Sequence, residues 1–175
     1  MDDSVPFASH VYFGVLGILV LARGMDFLST WVATPHLVLE GNPIAKKLGW
    51  KWGAVVNVVF CAGFAIWPLP AMVISTTSVL VAARNFQSAW LMRSMGEEAY
   101  RDWHVARLQE TRMPLFVFCL FGQTALTAGV GAGLIIFSPA DSLAAMAVGF
   151  GIVGYALAVG FYTLLAVWRI RRAMG

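Results

Sequence analysis

Five long apolar stretches make up most of this 175-residue chain, and short polar segments separate them. Hydrophobic residues are 59% of the total, charged residues are 12%, and the mean hydropathy is +0.76. Because about 20 apolar residues can cross a bilayer as a helix, the pattern predicts an all-α bundle of five transmembrane helices. These helices should cover residues 11–33, 52–67, 71–92, 114–137 and 143–168, within one membrane domain over residues 1–175.

Apart from two arginines inside the apolar stretches, the basic residues are confined to three polar segments. These segments follow the first, third and fifth stretches, whereas the N-terminus and the other two turns contain no Lys or Arg. The positive-inside rule therefore predicts a multi-pass protein of the cell inner membrane with its N-terminus outside and its C-terminus inside. The same rule explains the net charge of +3 without a nucleic-acid partner. The basic residues are Lys46, Lys47, Lys51, Arg93, Arg101, Arg107, Arg112, Arg169, Arg171 and Arg172.

Prolines and polar residues mark the ends of the apolar stretches. The Pro-Leu-Pro at residues 68–70 predicts a turn between the second and third helices, because two prolines this close cannot lie inside one regular helix. Residues 138–142 predict the last turn. The polar segment 96–112 is predicted as a helix on the cytoplasmic surface of the membrane, where Glu97 and Arg101 are spaced for an i,i+4 pair.

Several polar residues lie inside the apolar stretches. Arg23, Asp26 and Thr30 are spaced i, i+3 and i+7, so they share one face of the first helix. Because polar groups without partners are expensive in hydrocarbon, we expect polar residues from four helices to meet in one layer in the cytoplasmic half of the membrane. Asp26 should pair there with Arg84 or with Arg23. The other members are Asn57 on the second helix, Arg84 and Asn85 on the third, and Gln123 on the fourth.

Two explanations of this layer are compatible with the sequence. A buried Asp–Arg pair with several amides can simply fix how membrane helices pack. The polar groups outnumber what one buried pair requires, so we favour a ligand-binding site. Arg23 and Arg84 would suit a small anionic ligand, whereas Asp26 with Glu40 would hold a cation, and the sequence does not choose between them.

A short polar motif follows the first apolar stretch. Asn42 suits a helix N-cap and Pro43 suits the first helical position, but Glu40 has no such local explanation. Asp26-x-x-x-Thr30 followed by Glu40-x-Asn42-Pro43 resembles the signature of a family of small, uncharacterised polytopic membrane proteins of bacteria and archaea. The resemblance extends from the middle of the first helix into the second. It implies that these five residues act as a unit, which adds Glu40 and Asn42 to the candidate ligand-binding residues.

No motif in the sequence assigns a reaction, so whether the protein is an enzyme is left open. His10, His36 and His104 lie in separate segments, which disfavours a metal or haem site, and we expect no cofactor. The predicted function is binding or transport of a small anionic ligand or ion. The alternatives are an accessory subunit of a larger membrane complex and a membrane enzyme that acts on a lipid head group. Since five helices are few for a transporter, we also expect a homo-oligomer or a partner in the membrane.

Overall fold

The computed structural model describes residues 4–41, 43–139 and 141–172, and within these ranges every regular element is a helix, which confirms the all-α class. The helices are α1 (His10–Ala33), α2 (Pro43–Phe64), α3 (Pro68–Met95), α4 (Glu97–Glu110), α5 (Met113–Phe137) and α6 (Leu143–Arg172). By length and composition, α1, α3, α5 and α6 could each cross a membrane. Four such helices are the pattern of a multi-pass membrane protein.

The start of α3 corrects the predicted position of the second turn. Pro68 and Pro70 were expected in a turn before the helix, but α3 begins at Pro68 and both prolines lie in its first turn. Proline is tolerated there because the first N–H groups of a helix have no intrahelical partner. The turn between α2 and α3 is therefore only the three residues 65–67.

α2 begins earlier than predicted and is interrupted by Gly49. This residue has φ 63° and ψ −173°, a left-handed conformation that glycine adopts without steric cost. The continuous part of α2 after this break, residues 50–64, is about 22 Å long at 1.5 Å per residue. That is shorter than the roughly 30 Å hydrocarbon core of a bilayer, so length and composition do not mark α2 as a span.

Five of the helices, all except α4, pack in a row and not around a common core. Their order along the row is α2, α1, α3, α6, α5, and α2 also touches the edge of α3. Among the helices that the structure describes, α5 packs on α6 alone, and α4 contacts α3 and α6. The expectation that four apolar helices meet in one polar layer is therefore wrong for α5, because α6 lies between it and α3.

Small residues produce the close contacts within the row. A Cβ atom built on Gly131 of α5 would lie 2.7 Å from the carbonyl oxygen of Gly149 in α6. A Cβ atom built on Gly151 of α6 would lie 2.6 Å from the Cβ atom of Thr76 in α3. Small residues let membrane helices approach this closely. On the other side of α3, the buried residues are also small: Ala71, Ser75, Ser78, Ala82 and Ala89.

α4 confirms that the segment 96–112 is helical, but its charges pair differently from the prediction. Arg101 forms an ion pair with Asp102 at 3.1 Å, and Glu97 contacts the loop after α1 instead of Arg101. The far end of α4 is attached to α6, because the guanidinium of Arg171 donates hydrogen bonds at 3.2 Å to the carbonyl groups of Leu108 and Thr111. α4 is thus attached at both ends to other parts of the chain.

Candidate functional site

A cavity of about 560 Å³ lies between α1, α2 and α3, and we call it the polar cavity. Its walls come from the second half of α1, from α2 on both sides of Gly49, and from α3. Residues 34–41, here called the rim loop, line one end of it. Six of the candidate residues chosen from the sequence line this cavity: Arg23, Asp26, Thr30, Glu40, Asn57 and Asn85.

Arg23 of α1 connects three helices at the cavity wall. Its Nε and Nη2 atoms donate hydrogen bonds to Oδ1 of Asn57 on α2, at 2.9 and 2.6 Å. Its Nη1 atom donates to Oδ2 of Asp26 at 2.9 Å and to Oγ of Ser78 on α3 at 3.3 Å. Asp26 therefore pairs with Arg23, one of the two partners that the sequence allowed.

A second set of hydrogen bonds joins α3 to α1 beside this ion pair. Nδ2 of Asn85 donates to the hydroxyl groups of Ser29 and Thr30, at 3.2 and 3.3 Å. Both hydroxyls donate in turn to the backbone carbonyl oxygen of Asp26, at 2.8 and 3.0 Å. Within the part of the chain that the structure describes, Oδ1 of Asn85 and Oδ1 of Asp26 accept no hydrogen bond.

Two of the described candidate residues, Arg84 and Gln123, do not line the cavity. Arg84 was the other partner that the sequence allowed for Asp26. It does not line the cavity and makes no hydrogen bond or ion pair with another described residue. Its neighbour Asn85 faces α1, and because successive helical residues project about 100° apart, Arg84 lies about 100° around α3 from the side that Asn85 takes. Gln123 is exposed on α5, which α6 separates from the site. Asn42 lies outside the described residues.

Two kinds of residue at this site were not predicted from the sequence. Ser78 accepts a hydrogen bond from Arg23, and its position seven residues before Asn85 places both on one face of α3, a signal that could have found it. The aromatic residues Phe27, Trp50 and Phe60 also line the cavity. Aromatic residues are too common in membrane helices for such a role to be read from the sequence.

The rim loop is held in place by Glu97 of α4. The carboxylate accepts hydrogen bonds from the hydroxyl of Thr34 and from the backbone N–H groups of His36, at 2.8 Å, and Val38, at 2.9 Å. Burial by itself would raise the pKa of Glu97, but these three hydrogen bonds and the charge of His36 outweigh it. The pKa of Glu97 therefore lies below its ordinary value.

Two side chains of α2 bind the other side of the rim loop. Nζ of Lys46 donates to the carbonyl oxygen of Val38 at 3.0 Å. Nε1 of Trp50 donates to the carbonyl oxygen of Pro35 at 2.8 Å. The loop that lines the end of the polar cavity is therefore fixed from both α2 and α4.

Comparison of the chain with protein-family models, with curated proteins and with solved structures finds no match. The features that indicate a function are therefore the geometry of the polar cavity and the distribution of charge along the chain.

Proposed function

We propose that this chain is a multi-pass protein of the inner membrane that binds a small ligand or ion in the polar cavity. The observation that carries the proposal is the convergence of polar side chains from α1, α2, α3 and the rim loop on one cavity. Its volume of about 560 Å³ is typical of small-molecule sites. Transport of the ligand is a further step that would require the rim loop or α2 to move.

Binding explains the geometry better than a purely structural role does. An ion pair that only fixed helix packing would be enclosed by its neighbours and fully hydrogen-bonded. The side chains of Arg23 and Asp26 instead keep 30% and 18% of their surface accessible at the cavity wall. Oδ1 of Asp26 and Oδ1 of Asn85, which accept no hydrogen bond from the described part of the chain, supply positions where a ligand can be bound.

The proposal includes five crossings, with the N-terminus outside and the C-terminus inside. α2 connects a segment that contains Lys46, Lys47 and Lys51 to the turn at residues 65–67, which contains no charged residue. The positive-inside rule supports the lysines on the cytoplasmic side and the turn outside. In this orientation the rim loop lies at the cytoplasmic surface, so a ligand enters the cavity from the cytoplasm, and α4 lies on the same surface.

The experiment measures the reactivity of a thiol placed in the cavity by Gly53→Cys, in a chain that also carries Cys61→Ala and Cys119→Ala. A Cβ atom at this position would lie 3.4 Å from the ring of Phe27, an ordinary contact distance, so a cysteine fits there. We expect a membrane-impermeant maleimide to label the thiol in inside-out vesicles. At least one of four solutes, sodium, inorganic phosphate, butyrate or butylamine, should slow the labelling threefold or more.

The matched control is Gly122→Cys on α5, where nothing lies within 4 Å of a built Cβ atom and the helix borders no part of the polar cavity. An impermeant reagent should not label this thiol in the intact bilayer. Equal labelling at both positions would contradict a water-filled cavity, and labelling at Gly53→Cys that no solute slows would contradict ligand binding.

A second candidate function, as a subunit of an oligomer or larger membrane complex, is favoured by the outer face of α5. Gly122, Gly129 and Gly133 leave this face open, with nothing within 4 Å of a built Cβ atom at any of them. The exposed amide of Gln123 lies beside it and would find a partner across a helix interface. A Gly129→Cys chain that also carries Cys61→Ala and Cys119→Ala should then form a disulfide with a second copy in the membrane. Monomeric Gly129→Cys chains under oxidising conditions would contradict pairing of two copies through this face.

A further inference from the structure

The polar cavity has more hydrogen-bond acceptors available than donors. The guanidinium of Arg23 already makes four hydrogen bonds, to Asn57, Asp26 and Ser78. Oδ1 of Asp26 and Oδ1 of Asn85 accept none from the residues that the structure describes. A ligand that donates hydrogen bonds therefore complements this surface, whereas an anion would find only one of the five guanidinium N–H groups of Arg23 not already used in these bonds.

The charges of the cavity wall favour a cation. Among the described residues that line it, the carboxylates are Asp26 and Glu40 and the only cationic side chain is Arg23. The second arginine that would suit an anionic ligand, Arg84, lies outside the cavity. Counted over the described lining residues, two carboxylates stand against one guanidinium, and that guanidinium forms an ion pair with Asp26.

Aromatic rings extend this preference to organic cations. Phe27 and Trp50 pack edge to face with their ring centroids 4.9 Å apart, and both line the cavity. Phe60 already lies 5.9 Å from the guanidinium carbon of Arg23, a cation–π distance. Aromatic faces attract cations that have lost part of their water, so the wall suits an ammonium group better than a strongly hydrated ion.

We propose that the occupant of the polar cavity is a primary amine in its ammonium form, with a short apolar chain. The proposal depends on the cavity being a ligand site, as proposed above. Three N–H donors of an ammonium group match the acceptors on Asp26 and Asn85, with a further oxygen from Thr30 at the same wall. The chain of the amine packs against apolar lining residues such as Leu48, Val56 and Val81.

Other cations fit these observations less well. A quaternary ammonium group has no N–H donor and would leave Asp26 and Asn85 without hydrogen bonds. A transition metal requires a cluster of His, Cys, Asp or Glu ligands, and no group of three such side chains that could hold a metal occurs within the described ranges. A bare alkali cation would leave most of a cavity of about 560 Å³ unfilled.

The test first uses the cavity with Asp26 unchanged. In vesicles containing the Gly53→Cys chain, the concentrations of butylamine, butanol, butyrate and tetramethylammonium that halve the labelling rate are compared. These probes differ in charge or in N–H donors while their apolar parts are similar in size. We expect butylamine to protect the thiol at concentrations at least tenfold lower than the other three.

The second measurement adds Asp26→Asn to the same chain. Removing a charge-assisted hydrogen bond should raise the half-protecting concentration of butylamine about 10- to 100-fold. Gln123→Leu, which lies on α5 away from the cavity, should leave that concentration unchanged. If Asp26→Asn prevents folding, the comparison of the four probes on the Gly53→Cys chain with Asp26 unchanged still decides whether the occupant is a primary amine.

The outcomes separate this inference from the function on which it depends. Equal or stronger protection by butyrate or tetramethylammonium would overturn the assignment of a primary amine while leaving a ligand-binding cavity in place. Protection by butanol equal to that by butylamine would show that the cavity recognises only the apolar chain, and would also overturn it. If none of these four probes protects the thiol but sodium or inorganic phosphate does, the primary amine is wrong and the binding function stands. If sodium and inorganic phosphate also fail to protect, both are wrong.

Discussion

Arg23 supports the polar contacts of three helices, and Asn57 is the residue that fixes its orientation. Two guanidinium nitrogens donate to one oxygen of Asn57, at 2.9 and 2.6 Å. In Asn57→Leu these N–H groups lose their acceptor at a partly buried position, and the free energy of unfolding should fall by about 1–3 kcal/mol. Unfolding by SDS titration of the purified chain in mixed micelles measures the change.

Gln123→Leu is the control for this prediction. Gln123 is an amide in another membrane helix, but it is exposed, and α6 separates its helix from the site. Its replacement should change the free energy of unfolding by no more than about 0.5 kcal/mol. If Asn57→Leu lowers the free energy of unfolding no more than Gln123→Leu does, Asn57 does not fix the orientation of Arg23.

Single-residue spacing predicted part of this site and missed part of it, for a geometric reason. Arg23 and Asp26 are three residues apart on one helix, so their pairing follows from the helical period alone. The choice between Arg23 and Arg84 depends on which face α3 turns to α1, and Arg84 and Asn85 are adjacent in the sequence. Only the packed structure shows that Asn85 takes the α1 side.

Among the helices, α4 is the element whose attachment depends on ionisation. The pKa of Glu97 lies below its ordinary value, so its carboxylate stabilises the contact with the rim loop at neutral pH. That contribution is complete above the ordinary glutamate pKa of about 4.3 and is lost as the pH falls through the lower folded-state pKa. The protection of the His36 and Val38 amides against hydrogen exchange, corrected for intrinsic rates, should fall across this acidic window.

Glu97→Gln tests the same contact at neutral pH. Because the neutral amide is a weaker acceptor than a carboxylate, protection of the two amides should drop about threefold to tenfold, a modest effect since Glu97 is partly exposed. Glu98→Gln is the matched control, because Glu98 is the next residue on α4 and is exposed. Equal effects of the two substitutions would contradict a specific role for Glu97.

The contact between α5 and α6 depends on which glycine of α5 faces inward. In Gly131→Ala the new methyl group would lie 2.7 Å from the carbonyl oxygen of Gly149, so the helices must separate. The free energy of unfolding should fall by about 1–3 kcal/mol in an SDS titration. In Gly133→Ala, with nothing within 4 Å, stability should stay the same or rise by up to about 1 kcal/mol. The opposite order would mean that the other face of α5 packs on α6.

Over the whole molecule, the sequence predicted where the helices lie along the chain better than it predicted which helices pack against each other. The ends of α1 and α5 and the start of α6 follow from hydropathy and turn residues, since those signals are local, whereas α6 extends to Arg172, four residues beyond its predicted end. Which helix lies beside which depends on contacts between distant residues, such as Gly151 with Thr76, and glycine spacing alone suits several partners. That is why Arg23, Asn57 and Asn85, which the sequence placed in one layer, lie together, whereas Gln123 of α5 lies apart from them.

The number of times that the chain crosses the membrane depends on the short second part of α2. Residues 50–64 are about 22 Å long, so a crossing by α2 needs the turn residues 65–67 or a locally thinner bilayer to complete it. With five crossings and the N-terminus outside, the turn at Asp141 is outside and Glu110 at the end of α4 is inside. If α2 did not cross, these two positions would exchange sides, and the arginines of α4 would lie outside, against the positive-inside rule.

Asp141 and Glu110 are both exposed and therefore suited to a labelling test in intact cells. In a chain with Cys61→Ala and Cys119→Ala, an impermeant thiol reagent added outside should label Asp141→Cys. It should label Glu110→Cys only after the membrane is permeabilised. The reverse pattern would contradict the proposed topology, either because α2 does not cross or because the whole bundle is inverted. Labelling of a cysteine placed in the rim loop by His36→Cys separates the two cases, since that thiol stays inside if only α2 fails to cross and lies outside if the bundle is inverted.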